Sequence, residues 1–210
     1  MLNKIAGALG QAADAAGTIV GIRHGTEEPA FTVEQRVGNV EIRRYGSRIA
    51  AETTIDADEE AARSEGFRRL ARYIFGGNKS KTKVAMTAPV AQQQSEKIAM
   101  TAPVATRRGS GGEWVIRFYM PSEYTLDTLP TPGDERVRLV NVPAERVAVL
   151  GFSGIPSPGA VATKTDELMA AVRANSLAPE ADPVSWFYDP PWTIPFRRRN
   201  EVAVSLGVDD

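Results

Sequence analysis

Alternating apolar and polar positions along much of the chain predict short β-strands. The clearest alternation lies between residues 114 and 120, where the apolar side chains on one face are Trp114, Ile116, Phe118 and Met120. Successive side chains of a strand point to opposite faces, so this segment is predicted to be a strand with one buried face. Similar patterns predict strands at residues 31–37, 40–45, 48–55, 136–142, 146–152, 184–188 and 201–206. Gly38-Asn39 separates the first two of these and predicts a tight hairpin.

Two other segments have the spacing of an amphipathic helix. The apolar stripe of the first consists of Ala62, Phe67, Leu70, Ala71 and Ile74. Asp56 and Glu59 form a pair resembling a capping box at its start, and Gly76-Gly77 is expected to end it. The shared face of the second consists of Val161, Thr165, Leu168, Met169 and Val172. The order strands, helix, strands therefore occurs twice, which predicts an α+β fold of two similar halves with one helix against each sheet.

An eight-residue segment between these halves is duplicated. The copies are residues 83–90, KVAMTAPV, and residues 97–104, KIAMTAPV, and only their second positions differ. The link between them, residues 91–96, is short and polar, so the copies are predicted to form neighbouring antiparallel strands of a hairpin. The repeat is too short for a solenoid unit and is interpreted as a local duplication.

The doubled M-T-A-P-V resembles the signature of the SOUL haem-binding family, whose bacterial members often carry it twice. Further matches occur in the family's order at residues 41–46 (EIRRYG), 66–74 (GFRRLARYI), 119–123 (YMPSE), 188–191 (YDPP) and 199–202 (RNEV). The resemblance implies a distorted antiparallel β-barrel flanked by two helices. We therefore predict a SOUL-like domain over residues 30–210, preceded by an N-terminal helical segment and linker over residues 1–29.

Composition excludes several classes of protein. The chain has 25 basic and 26 acidic residues and a net charge of −1, so no overall positive field attracts nucleic acid. The absence of cysteine excludes disulfides, thiolate metal sites and a cysteine nucleophile. The single histidine, His24, leaves too few nitrogen ligands for a zinc site and lies too far from any serine motif for a catalytic triad.

The first twenty residues are predicted to form a helix of their own, because their apolar positions recur at steps of three and four. Asp14 interrupts the apolar run, which argues against a signal peptide, and the run is too short to span a membrane. A docked helix in a cytoplasmic protein is our expectation. The alternative is a helix that supports weak self-association or attachment to a membrane surface.

The family resemblance places a haem site in an apolar cleft between the first helix and the proline-rich loop after Tyr188. By this resemblance, Phe67 and Leu70 would contact the macrocycle, and Arg69 matches a basic position. Trp192 could lie against a flat ring, while Thr193 stands where the haem-carrying branch has a lysine. The structural alternative is an ordinary amphipathic helix with Phe and Leu in the core, and a tryptophan that closes one end of the barrel.

Arg44 stands where another branch of the family has an iron-binding histidine. The alternation with Val40 and Ile42 puts it on the apolar face of its strand, where a lone charge would need a partner. Arginine is always protonated and cannot ligate iron, but its planar fork suits a carboxylate such as a haem propionate. The structural alternative is a strand-end arginine that a bulge or twist turns to solvent.

Other candidate ligands and bases are weaker. Met86 and Met100 occupy equivalent positions in the duplicated segment, and a thioether can ligate haem iron, but methionine in a β-rich core usually fills space. We therefore expect no metal site and little or no iron ligation. An inward carboxylate could act as a base, and the sequence leaves open whether any two of the strand glutamates converge. These are Glu34, Glu41, Glu52 and Glu201.

The leading hypothesis is a non-enzymatic binding protein for haem or a related tetrapyrrole, which is not required for folding. Burial of the flat ring and pairing of its propionates would hold it in the cleft. The alternative comes from a second resemblance of the two-half fold, to gyrase-inhibitor-like domains that bind or hydrolyse small molecules. That alternative would be favoured by an interior glutamate beside a tyrosine or tryptophan in a pocket, and removed if only solvent-facing carboxylates were found.

Overall fold

The computed structural model describes residues 26–80 and 95–207. Its strands are β1 (Phe31–Val37), β2 (Val40–Tyr45), β3 (Arg48–Ile55), β4 (Asn78–Lys79), β5 (Val104–Arg108), β6 (Trp114–Tyr119), β7 (Thr131–Pro132), β8 (Arg138–Val142), β9 (Glu145–Phe152), β10 (Val184–Phe187) and β11 (Asn200–Leu206). Its α-helices are α1 (Glu59–Ile74) and α2 (Pro158–Ala174), and a 3-10 turn spans Pro195–Arg197. The predicted N-terminal helix, His24, Met86 and the first copy of the duplicated segment lie outside the described residues.

Nine of the strands form one antiparallel sheet in the order β1-β2-β9-β11-β10-β5-β6-β3-β8, while β4 pairs with β7. The order is mirrored on either side of the β10–β5 pair, which is one of the pairs that join a strand of the first half to a strand of the second. Strands β2 and β3 lie near opposite ends of this sheet, yet only Gly46 and Ser47 connect them. A link of two residues spans roughly 10 Å, so the sheet must curl until its ends meet. The predicted α+β fold with a distorted antiparallel barrel is confirmed.

Both helices pack on the outer, convex face of the curled sheet. Helix α1 lies against β3 and β6, and α2 lies against β9 and β11. Helix α1 begins later than the predicted pair, because the carboxylate of Asp58, not Asp56, accepts the Ala61 N–H at 2.9 Å. It ends as predicted before Gly76, whose φ of +111° suits glycine. In residues 26–80 and 95–207, no helix is long and apolar enough to cross a membrane.

Strand β6 has both faces buried, which corrects the prediction of a strand with one buried face. Ile116 and Phe118 pack into the core beneath α1, as their alternation predicted. Val115 and Tyr119, on the other face, are also buried, at 5% and 4% exposure. The reason is that the curled sheet has an inside, so the concave face of β6 is enclosed by the other half.

The second copy of the duplicated segment is not the predicted strand of a hairpin. Regular strand structure starts only at Val104, the last residue of this copy. The backbone before it bonds elsewhere: Ile98 N–H donates to the carbonyl of Ile74 at 2.8 Å, and Ala102 N–H donates to that of Glu27 at 2.9 Å. The segment therefore crosses the end of α1, where Ile98 is buried in the core.

Helix α1 comes closest to the sheet at Gly66. A Cβ atom at this position would lie 2.7 Å from Cγ1 of Ile116, which is itself fully buried. The Gly66→Ala variant is therefore expected to lose about 1–3 kcal/mol of unfolding free energy in urea titrations. The matched control is Gly159→Ala in α2, where no atom beyond the adjoining residues and the helix's own backbone lies within 4 Å of the new methyl group. A Gly66 variant as stable as this control would contradict the close approach.

Candidate functional site

Four large apolar side chains are exposed on loops and on α1 at one end of the sheet. The exposed fractions are 41% for Phe67, 63% for Ile155, 64% for Trp192 and 73% for Phe196. We call these four residues the outer apolar surface. Large apolar side chains exposed on neighbouring segments commonly mark a binding site.

Helix α1 supplies one border of the outer apolar surface. Arg63 donates from Nη1 to the carbonyl oxygen of Pro156 at 3.3 Å, and its guanidinium lies 5.1 Å from the centre of the Phe187 ring. Phe67, one turn further along, has its ring centre 5.3 Å from that of Phe118. Phe118 and Phe187 are joined through Val104, which is directly opposite both in the sheet. The helix therefore spans this end of the sheet.

Two loops supply the other border. The loop between β9 and α2 carries Ile155, and the loop between β10 and β11 carries Trp192 and Phe196. Gly154 N–H donates to the carbonyl of Pro195 at 2.9 Å, so the two loops are tied together next to their exposed side chains. Because Pro156 of the first loop also accepts from Arg63, this loop adjoins both the helix and the second loop.

The structure separates the site residues that the sequence had grouped. Phe67 and Trp192 belong to the outer apolar surface. Leu70 is completely buried in the core beneath α1 and offers no surface to a ligand. Arg69 points to the β3 side of the helix, where it donates to Thr53 Oγ1 at 2.8 Å and to Glu65 at 3.3 Å. Its guanidinium is thus held by the protein itself.

Arg44 lies at the opposite end of the sheet from Trp192. It shares the face of Val40 and Ile42, as predicted, but its side chain is 54% exposed and pairs with Glu34. Arg146, its direct neighbour on β9, is six residues before the end of that strand, or about 20 Å along it. Glu34 is the extra residue of a bulge in β1 and binds both arginines. This is the geometry of the structural alternative, a solvent-exposed arginine beside a bulge.

Sequence reasoning did not single out three residues of this region as candidate site residues. Arg63 had a signal, because it lies four residues before Phe67 and so one turn away on the same face of the helix. Ile155 and Phe196 had none, because they lie in proline-containing loops without periodicity. Only the bond between Gly154 and Pro195 reveals that their loops adjoin.

A buried ionic network lies on the concave face. Both oxygens of Glu201 accept from Arg43, at 3.0 Å each, and the Tyr188 hydroxyl donates to Glu201 at 2.6 Å. Arg199 adds a further bond of 2.9 Å. Burial acts to raise the pKa of Glu201, but the bonds and charge of Arg43, with the Tyr188 bond and the Arg199 charge, outweigh it and lower the pKa from its usual value of 4.5. Burial raises the pKa of Tyr188, and the neighbouring Glu201 charge raises it further.

The four strand glutamates each pair with two arginines. Glu41 and Glu201 converge on one guanidinium, that of Arg43. The remaining partners are Arg36 for Glu41, Arg199 for Glu201, Arg117 and Arg138 for Glu52, and Arg44 and Arg146 for Glu34. The bonds and charges of these arginines lower the pKa of Glu34, Glu41 and Glu201, which makes these three carboxylates poor proton acceptors.

A cavity of about 440 Å³ also opens on the concave face, between the two halves. It lies on the other side of the sheet from α1 and from the outer apolar surface. Charged side chains line it together with apolar ones. It is therefore distinct from the apolar cleft predicted beside α1.

Metal-binding groups are scarce in the described part of the chain. Residues 26–80 and 95–207 contain no cluster of three or more His, Asp or Glu side chains that could hold a metal ion. Met100 is partly buried and packs against the core beneath α1. Its thioether therefore has the space-filling role that methionine commonly plays in a core.

Solved structures with very different sequences share this fold. The C-terminal domain of EcmrR superposes with a TM-score of 0.58 at 9% identity, over 81% of this chain and 98% of that domain. A hydrolase from Listeria innocua superposes with a TM-score of 0.51 at 11% identity, over 83% of this chain and 94% of the hydrolase. Fold similarity at such low identity does not transfer function.

Sequence comparison is more specific. The SOUL heme-binding protein family matches residues 26–97 and 91–205. Heme-binding protein 2 of Mus musculus is 28% identical over 198 residues, which cover 87% of this chain and 90% of the mouse protein. Heme-binding protein 2 of Homo sapiens is 31% identical over 125 residues, which cover 57% of this chain and 55% of the human protein. The chain belongs to the SOUL heme-binding protein family.

Proposed function

We propose that this chain is a non-enzymatic carrier that binds haem or a related flat tetrapyrrole at the outer apolar surface, with little or no iron ligation. The observation that supports this most directly is the exposure of Phe67, Ile155, Trp192 and Phe196 around one end of the sheet. A folded chain gains about 25 cal/mol for each Å² of apolar surface removed from water. A large planar ligand would supply that burial.

The residues present fit both the apolar ring and the propionates of such a ligand. The rings of Phe67, Trp192 and Phe196 can pack against a macrocycle. Arg63 lies at the border of the surface and donates from Nη1 to Pro156, so the remaining N–H groups of its guanidinium suit a propionate. The side chains of the outer apolar surface contain no atom that binds iron, and burial with propionate pairing would have to supply the affinity.

The paired glutamates support a binding role over hydrolysis. Glu201 does lie beside Tyr188 and directly opposite Trp186, which is part of the arrangement that would have favoured a hydrolase. However, its two oxygens are occupied by Arg43, and its pKa is lowered, so it does not resemble a general base. The gyrase-inhibitor-like alternative therefore gains no support from this carboxylate.

Hemin titration followed by Soret absorbance tests the proposal. The wild-type protein should give a saturable spectral change. The variant with both Trp192→Ala and Phe196→Ala should bind about ten-fold more weakly or worse, as is typical when aromatic anchors of a site are removed. Phe75→Ala is the matched control, because Phe75 is 59% exposed at the C-cap of α1 and lies about 18 Å along the helix from Arg63.

Two results would contradict this site. One is a wild-type spectrum without saturation. The other is an equal loss of affinity in the Phe75 control, which would indicate nonspecific adsorption to exposed rings. Hemin dimethyl ester isolates the propionate contact: Arg63→Gln should weaken binding of hemin and leave binding of the ester unchanged. Equal effects on both compounds would show that Arg63 does not pair with a propionate.

A further inference from the structure

The concave cavity has the size of a small-molecule site. Its volume of about 440 Å³ falls within the range of roughly 300–1,000 Å³ that is usual for ligand pockets. Strands β5 and β6 of one half and β9, β10 and β11 of the other form its walls. Because the whole sheet separates the cavity from the outer apolar surface, a ligand bound in it would be independent of the proposed tetrapyrrole site.

Cross-strand register explains why the concave face is hollow here. Arg117, Ala105 and Trp186 lie directly opposite one another on β6, β5 and β10. The small side chain of Ala105 therefore stands between two large ones and leaves a depression. The apolar lining near it comes from Val115, Val147 and Val184. An apolar body could be buried in this depression.

Most charges around the cavity are already compensated. Glu145 accepts from Arg48, and from the Ser205 hydroxyl at 2.5 Å. Arg117 donates to Glu52 at 2.6 Å, and Glu52 also accepts from Arg138 at 3.2 Å. Two guanidinium groups thus share the carboxylate of Glu52, so this part of the wall keeps a positive excess.

Arg107 differs from these arginines. It is partly buried in the cavity wall, directly opposite Val115, and its side chain makes no hydrogen bond or ion pair within residues 26–80 and 95–207. The other charged groups at the cavity are Arg108 and Asp182, both exposed to solvent. A partly buried guanidinium beside apolar side chains is best satisfied by an anion that can accept two of its N–H groups.

We propose that this cavity binds a small organic carboxylate with an apolar body. The carboxylate pairs with Arg107, and the positive excess at Arg117 favours the same charge. The body lies over Ala105 and the three valines, next to the indole of Trp186. A cationic ligand is disfavoured, because Glu145 and Glu52 are already paired.

Calorimetric titration with naphthalene-2-carboxylate and its neutral analogue, naphthalene-2-carboxamide, tests this proposal. The carboxylate should bind saturably to the full chain and about ten-fold or more tightly than the amide, since the difference reports one charge-assisted contact. Arg107→Gln should remove this preference and leave affinity for the amide unchanged. Arg68→Gln is the matched control, because Arg68 is a 71% exposed arginine on the opposite side of the sheet.

Ala105→Phe provides a second, independent variant. It fills the depression and should weaken both compounds together, and its thermal midpoint shows whether it remains folded. Equal binding of acid and amide to the wild type would overturn the proposal, as would a loss of affinity in Arg68→Gln equal to that in Arg107→Gln. Absence of saturable heat with the carboxylate at millimolar concentration would also overturn it. Trp192→Ala should leave carboxylate binding unchanged, which separates this site from the tetrapyrrole site.

Discussion

Leu70→Ala is expected to lower the unfolding free energy by about 2–5 kcal/mol, the usual cost of removing a fully buried leucine. Leu70 has no exposed surface and packs in the core shared by α1, β3 and β6. Truncation removes apolar contacts and leaves a cavity that the surrounding helix and sheet can only partly close. Urea unfolding followed by far-ultraviolet circular dichroism gives the loss.

The same variant also separates a core role from a ligand contact. Hemin affinity, measured where Leu70→Ala is fully folded, should match that of the wild type. Phe67→Ala is the matched comparison, since Phe67 lies on the same helix and is 41% exposed. Phe67→Ala should lose less stability than Leu70→Ala and more of its affinity for hemin. A Leu70 variant with near-normal stability and weakened hemin binding would show that this residue contacts the macrocycle after all.

Glu201→Leu is expected to lower the unfolding free energy by about 3–5 kcal/mol, because removing one partner of a buried ion pair leaves the other charge uncompensated. The variant removes the acceptor for two N–H groups of Arg43 and for the Tyr188 hydroxyl, both of which are buried. Adding Arg43→Met should restore most of the stability, since apolar residues of similar size often replace a buried pair without loss. A double variant no more stable than Glu201→Leu would contradict this.

The dependence of the unfolding free energy on pH in the acid range gives a second test of the role of Glu201. Its folded pKa is lowered from 4.5, so the folded state binds fewer protons than the unfolded state at low pH. The stabilisation is therefore fully present above about pH 4.5 and is lost as the pH falls through the folded value. Compared with the wild type, Glu201→Leu should lose less stability between about pH 5 and the acid-unfolding limit. Equal losses of stability in the wild type and the variant over this pH range would show that Glu201 does not cause the pH dependence.

The strands and helices were largely predictable, because their periodicity is local. The alternation in residues 114–120 identified the face that packs under α1, and Gly38-Asn39 identified the first hairpin. Enclosure of the other face of β6 was not predictable, since it depends on contacts between the two halves. The second copy of the duplicated segment misled because Ile98 is buried beside the end of α1, and regular strand pairing starts only at Val104.

The candidate sites were less predictable than the fold. Family motifs suggested Phe67 and Trp192, which are exposed, and also Leu70, which is buried, because a helical stripe does not show which of its members faces outward. Arg107 could not be found, since its importance depends on being opposite Val115 and lacking a charged partner among the described residues. Both properties depend on the register between strands that are distant in sequence, and a local sequence pattern does not reveal that register.

The short β2–β3 and β8–β9 connections imply that neither half can fold alone. Strand β2 of the first half pairs with β9 of the second, and β8 of the second half pairs with β3 of the first. Each half thus lends a strand to the other, as in a domain-swapped dimer joined into one polypeptide. If the protein arose by duplication, its single-half ancestor would have needed a second copy to complete its sheet, and today's chain should unfold in one cooperative transition.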